Sequence, residues 1–131
     1  MNNPPKILLI ESESGLLSTL SEELEQEGYS VDPAVTGGEA LRKIENKPDL
    51  IILDGLLIDI DGLVLLAKIK AEKNTNGIPV VLLLESGDEA RAISASELGV
   101  AKSIIKTHSG LSNIMVAIEN IFGKAQKNID G

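Results

Sequence analysis

Apolar residues along this chain fall into two alternating kinds of run, short continuous blocks and spaced stripes. The blocks are Lys6–Ile10, Tyr29–Pro33, Leu50–Leu53, Pro79–Leu84 and Lys102–Ile105. All have strand length, and the first, third and fourth are almost unbroken, the pattern of strands covered on both faces. The second mixes Val31 with polar residues, and its Pro33 has no N–H to give a neighbour, so it reads as an edge strand. The stripes between them have helical spacing. Leu17, Leu20 and Leu24 predict a helix that stops near Gly28. Ala40, Leu41 and Ile44 predict a second, opened by the capping-box pattern Thr36-Gly37-Gly38-Glu39. Leu63, Leu66 and Ile69 mark a third. Ser86-Gly87-Asp88-Glu89 predicts a capped start for a fourth, anchored by Ile93 and Leu98. Leu111, Ile114, Met115, Ile118, Ile121 and Phe122 form the clearest stripe, a fifth helix.

Five alternations of strand and helix argue for an α/β fold, a parallel sheet with helices on both faces, and right-handed crossovers leave few topologies. The pattern predicts one domain over residues 1–124 and a polar, fraying tail over 125–131. Three charged residues directly follow strand blocks: Glu11 the first, Asp54 the third and Lys106 the fifth. In an open parallel sheet these positions share the carboxyl edge, where such folds bind their ligands. Two acids and a lysine gathered there suit a divalent cation together with a phosphoryl group.

Composition narrows the reading. The 131 residues are 43% apolar and 24% charged, enough for a single domain with a real core. A net charge of −8 argues against nonspecific binding to nucleic acid or an anionic membrane. With no cysteine and one histidine, His108, disulfides, thiol catalysis and multi-histidine metal sites are excluded. The longest apolar stretch, Val80–Leu84, is too short to span a bilayer, and Met1-Asn2-Asn3-Pro4-Pro5 lacks a signal-peptide pattern, so a cytoplasmic location is expected.

Four segments, in order and at this spacing, resemble the receiver domain of bacterial two-component response regulators. They are Lys6–Glu13, Pro48–Asp54 with Asp59-Ile60-Asp61-Gly62, Ile78–Leu84, and Gly99 followed by Ile104-Ile105-Lys106. The resemblance spans nearly the whole chain and implies a flavodoxin-like fold of strand order 2-1-3-4-5. It implies that Asp54 is the phosphoacceptor, that Lys106 contacts the phosphoryl group, and that a sensor histidine kinase or another signalling protein is the partner. It further implies a magnesium ion held by Glu11, Asp54 and the backbone carbonyl of Leu56, no enzymatic turnover, and a homodimer through the fourth and fifth helices.

The sequence also departs from that family's pattern. Ser12 stands where a second acid would touch the ion, and a neutral hydroxyl is a poor magnesium ligand. Leu84 stands at the usual Thr/Ser switch position and cannot hydrogen-bond a phosphoryl oxygen. Ser103 replaces an aromatic, Thr107 the proline after the lysine, and Ile58 a loop proline. Ser12 and Leu84 together favour an interaction module that works without phosphorylation over a working receiver with weakened metal affinity. Glu13 and Ser86 are candidate substitutes for the lost acid and hydroxyl. A rival reading, a haloacid-dehalogenase-type phosphatase, rests on Asp59-Ile60-Asp61-Gly62, with Asp59 as nucleophile and Asp61 as acid/base. Against it, the apolar strand already ends at Asp54, so Asp59 and Asp61 are expected to shape the turn before the third helix. His108 is expected to be a loop residue beside a Ser109 cap.

Overall fold

The computed structural model describes residues 3–106 and 110–130. The expectations placed on Thr107, His108 and Ser109 lie outside the described residues. The elements are β1 (Lys6–Ile10), α1 (Ser14–Gln26), β2 (Ser30–Ala34), α2 (Gly37–Lys43), a 3-10 turn at Ile44–Asn46, β3 (Leu50–Asp54), α3 (Gly62–Ala71), β4 (Val80–Leu84), α4 (Glu89–Glu97), β5 (Lys102–Ile105) and α5 (Gly110–Asp130). The five strands form one parallel sheet in the order β2-β1-β3-β4-β5. The doubly wound α/β architecture expected from the sequence is therefore the observed one, with Pro33 on the edge strand β2.

Alternation along each strand divides the core in two. Leu8, Ile10, Ile51, Leu53, Leu82 and Leu84 face Ala40, Leu65, Leu66, Ile69 and Ala95, so α2, α3 and α4 cover that side. Ile7, Leu9, Leu50, Ile52, Val81 and Leu83 face Leu20, Leu24, Ile114 and Ile118 of α1 and α5 on the other. β3 and β4 have no exposed residue, which explains their unbroken apolar sequences. Burying such side chains stabilises by about 1.5–3 kcal/mol each.

Several local expectations shift. α3 turns Leu65 fully inward and leaves Leu63 only partly buried. In α4, Ile93 points outward at 64% exposed, while Ala95, with Ala92 and Leu98 partly buried, meets the sheet. Small residues there let the helix lie close, a fit invisible to a search for large anchors. The fourth capping box does not form: Asp88 is the N-cap and makes no side-chain cap bond. Thr36 does cap α2, accepting from Glu39 N, and Glu39 reaches back to Val35 N. α5 runs from Gly110 to Asp130.

Candidate functional site

Strand register brings the predicted residues to one edge. Ile10 pairs with Leu53, Asp54 with Leu83, and Leu84 with Ile105. The positions that follow, Glu11, Gly55, Glu85 and Lys106, therefore emerge side by side at the carboxyl end of the sheet. Glu11 and Asp54 are the buried charged residues, at 0% and 5% exposed. Lys106 Nζ lies 3.0 Å from Asp54 Oδ2, 3.5 Å from Glu11 Oε1 and 3.7 Å from Glu85 Oε1. The structure thus brings Asp54, Lys106 and Glu11 together as the sequence predicts, and adds Glu85, which sequence reasoning missed.

The charges in this crevice are not independent. Burial pushes the Glu11 carboxyl up from an ordinary 4.5 to about 8, helped by a shared hydrogen bond with Asp54 and that neighbour's charge. The Glu13 N–H and the Lys106 ammonium pull the other way without prevailing. Glu11 thus holds its proton more tightly than a free carboxyl, beside the ion pair that Lys106 makes with Asp54. Burial alone would lower the Lys106 ammonium, but its bond to Asp54 and the charges of Glu11, Asp54 and Glu85 hold it above its usual value.

The oxygens suit a hard cation in kind. Glu11 Oε1 is buried and accepts no hydrogen bond. Asp54 Oδ1 accepts only the N–H of Leu56, at 3.1 Å, among the described residues. Leu56 and Asp61 form an isolated bridge whose bonds use Gly55 O and Ile60 O, so the Leu56 carbonyl is not consumed by it. The set is nonetheless short of charge: among the described residues, no three of the His, Cys, Asp and Glu side chains form a group able to hold a metal. Ser12 does not fill the gap. Its Oγ donates to Val35 O at 2.6 Å and accepts from Ile58 N at 3.0 Å, tying the loop after β2 to the loop after β3. The Glu13 carboxylate is engaged elsewhere, capping α1 by accepting from Gly15 N and Leu16 N.

The loop from Gly55 to Asp61 is held on two further sides. Asp59 accepts from Gly37 N at 2.8 Å and Gly38 N at 3.1 Å, and these bonds keep its carboxyl below the usual range. Asp61 caps α3 through Leu63 N and forms a two-pronged ion pair with Arg91 of α4. That pair keeps Asp61 below and Arg91 above their usual values. Gly62 is required by contact: a Cβ there would collide with Asp54 O and lie 2.7 Å from Gly55 Cα. Leu84 is buried and packs over Gly55, so the missing hydroxyl position is filled with hydrocarbon. Where Ser103 replaces an aromatic, a groove of about 540 Å³ opens between β5 and α5, lined by Ser103, Ile105, Val116 and Asn120.

Residues 7–119 match the response regulator receiver domain family. The chain belongs to that family. It is 29% identical over 126 residues to the phosphate regulon transcriptional regulatory protein PhoB of Rhizobium meliloti (strain 1021), covering 95% of this chain and 55% of that protein. It is 37% identical over 106 residues to the transcriptional regulatory protein GlrR of Escherichia coli (strain K12), covering 80% of this chain and 23% of that protein. The chain thus spans about half the length, or less, of these relatives. A crystal structure of a putative response regulator from Chloroflexus aurantiacus J-10-fl superimposes with a TM-score of 0.84 at 29% identity, covering 92% of this chain and 98% of that one.

Receiver domains are signalling modules of two-component systems that interact with histidine kinases and other signalling partners. The phosphatase alternative finds no support. The family match runs through Asp59 and Asp61, and both carboxylates are engaged in capping or in the Arg91 pair, away from any nucleophilic role. No helix among the described residues is long and apolar enough to cross a membrane.

Proposed function

We propose that Asp54 accepts a phosphoryl group from a phosphohistidine on a partner kinase, in a receiver whose cation affinity is weakened. The observation that supports this most is the 3.0 Å pairing of Lys106 Nζ with Asp54 Oδ2 inside a crevice closed by Glu11. An Asp54 carboxylate oxygen attacks phosphorus, the P–N bond breaks, and its electron pair stays on the departing imidazole, which takes up a proton. Lys106 then pairs with a phosphoryl oxygen instead of with the bare carboxylate. Glu11, Asp54 and the Leu56 carbonyl would hold a magnesium ion, which when bound offsets the negative charge where phosphoryl and carboxylate meet. Holding it requires Glu11 to give up its proton, and Ser12 contributes no charge, so affinity is low. The domain itself turns over no substrate, and a cytoplasmic site of action beside a kinase fits an acidic receiver with no direct nucleic-acid role. A homodimer through α4 and α5 is part of the same reading.

The test is incubation with a small phosphodonor and excess magnesium, followed by intact-mass measurement. We expect an adduct in the wild type, none in Asp54→Ala, and slower formation in Lys106→Met. A second reading, an interaction module that works unphosphorylated, draws on the buried Leu84 side chain at the switch position. Failure of the wild type to gain a phosphoryl mass at any magnesium concentration would leave that reading standing alone.

A further inference from the structure

α4 is the helix with the least to hold it. Ala95 is its one fully buried residue, its N-cap makes no side-chain bond, and Ile93 faces solvent. Its firmest polar tie is Arg91 in its first turn. Arg91 Nη2 donates to Gly55 O at 2.6 Å, and the two Nη atoms grip Asp61 at 2.9 and 3.0 Å. Gly55 is the residue directly after Asp54, so the guanidinium bolts α4 to the backbone of the acceptor loop. Residue 84, the last of β4, is a leucine, and its side chain makes no polar link to that loop. The bolt is also incompletely satisfied: Arg91 Nε is buried without an acceptor, with Asp88 Oδ2 3.9 Å away.

We propose that Arg91 is the positioning residue through which the state of Asp54 reaches α4, in place of a hydroxyl at position 84. This rests on the phosphoacceptor reading for its trigger, but the link itself is physical. Asp54 Oδ1 fixes the Leu56 N–H at 3.1 Å and so sets the orientation of the 54–56 backbone. A phosphoryl group bonded through Oδ1 makes that oxygen a P–O–C bridge and a poor acceptor, the Gly55–Leu56 peptide turns towards Gly62 N, which already donates to Gly55 O at 2.9 Å, and Gly55 O leaves Arg91. α4 then keeps only the Asp61 half of its anchor and loosens at its first turn. The coupling is reciprocal, so a partner that draws Arg91 outward would also alter the loop around Asp54.

The experiment is amide hydrogen exchange over Glu89–Glu97 in the whole protein, referenced to β1 amides, which report global opening. The variants are Asp54→Ala, Arg91→Met, Arg91→Lys, and Asp54→Ala combined with each Arg91 variant. Asp54→Ala should speed exchange in α4 by about fivefold relative to β1, the equivalent of one hydrogen bond. In either Arg91 background α4 should already be fast, and Asp54→Ala should add nothing. If Asp54→Ala leaves α4 protection unchanged, or acts equally with and without Arg91, the link does not exist. Arg91→Lys keeps the charge and a single donor, which secures the cycle if the methionine variant is too unstable to measure. A parallel arm adds phosphodonor, with adduct read by mass: adduct-bearing wild type should show the same loosening, and its protection matching the free protein would also overturn the link. Absence of adduct defeats the phosphoacceptor reading, while the Asp54→Ala arms still decide the role of Arg91.

Discussion

Glu11 should make this protein less stable in alkaline than in neutral solution when no divalent ion is present. Its folded carboxyl titrates near 8 against an ordinary 4.5. A raised carboxyl means that the folded state binds the proton more tightly than the unfolded chain does. The associated stabilisation is complete below about 4.5, where both states are protonated, and is lost as pH climbs towards 8. Above 4.5 unfolding releases up to one proton, so stability falls by as much as 1.4 kcal/mol per pH unit, about 3 kcal/mol between pH 6 and pH 9. With a urea dependence of about 1.5 kcal/mol per molar, the unfolding midpoint should drop by roughly 2 M over that range. Glu11→Gln keeps the shape, can still donate to Asp54 and carries no titrating proton, so its midpoint should hardly move. The assay is urea unfolding followed by circular dichroism, in chelator, at several pH values. A wild-type midpoint as flat as that of Glu11→Gln would refute the raised Glu11 carboxyl and remove one support for the proposed low metal affinity.

Gly62→Ala should be severely destabilising, by roughly 3 kcal/mol or more, because the new methyl meets backbone at Asp54 and Gly55 that cannot retreat. Gly28→Ala, with open space but a φ of +95°, should cost only about 1 kcal/mol; thermal melts of the two compare contact with conformation, and equal losses would contradict the assignment. Ser12→Asp should raise magnesium affinity in a calorimetric titration, while its lost donation to Val35 O lowers stability by about 1 kcal/mol in urea. An unchanged titration would mean that residue 12 does not face the ion-binding oxygens.

Strand content is plain in the sequence because Ile7–Ile10, Leu50–Leu53 and Val80–Leu84 are sealed on both faces and must be apolar. The meeting of Glu11, Asp54 and Lys106 was legible for the same reason: parallel strands of similar length end at one edge. What escaped notice depends on reach, which no periodicity encodes. Arg91, one of two arginines in the chain, sits in a helix of alanines and serines, and nothing in its neighbours says that it spans to Gly55 and Asp61. Glu85 follows from topology rather than from any local pattern, because the residue after β4 must adjoin the one after β5. Ser12 was legible as a missing acid but not as a bridge between loops. Side-chain size points to Ile93 as the anchor of α4, but closeness of approach decides, and the helix buries Ala95 instead.

Ser12 also bears on how readily this site could change its chemistry. Once a hydroxyl at that position joins two loops, restoring an acid there is no longer a neutral reversal. A carboxylate could still take the Ile58 N–H, but it has no proton for the Val35 carbonyl at neutral pH, so a second substitution must supply that donor. Replacing an acid by serine at this position is therefore easier than the reverse.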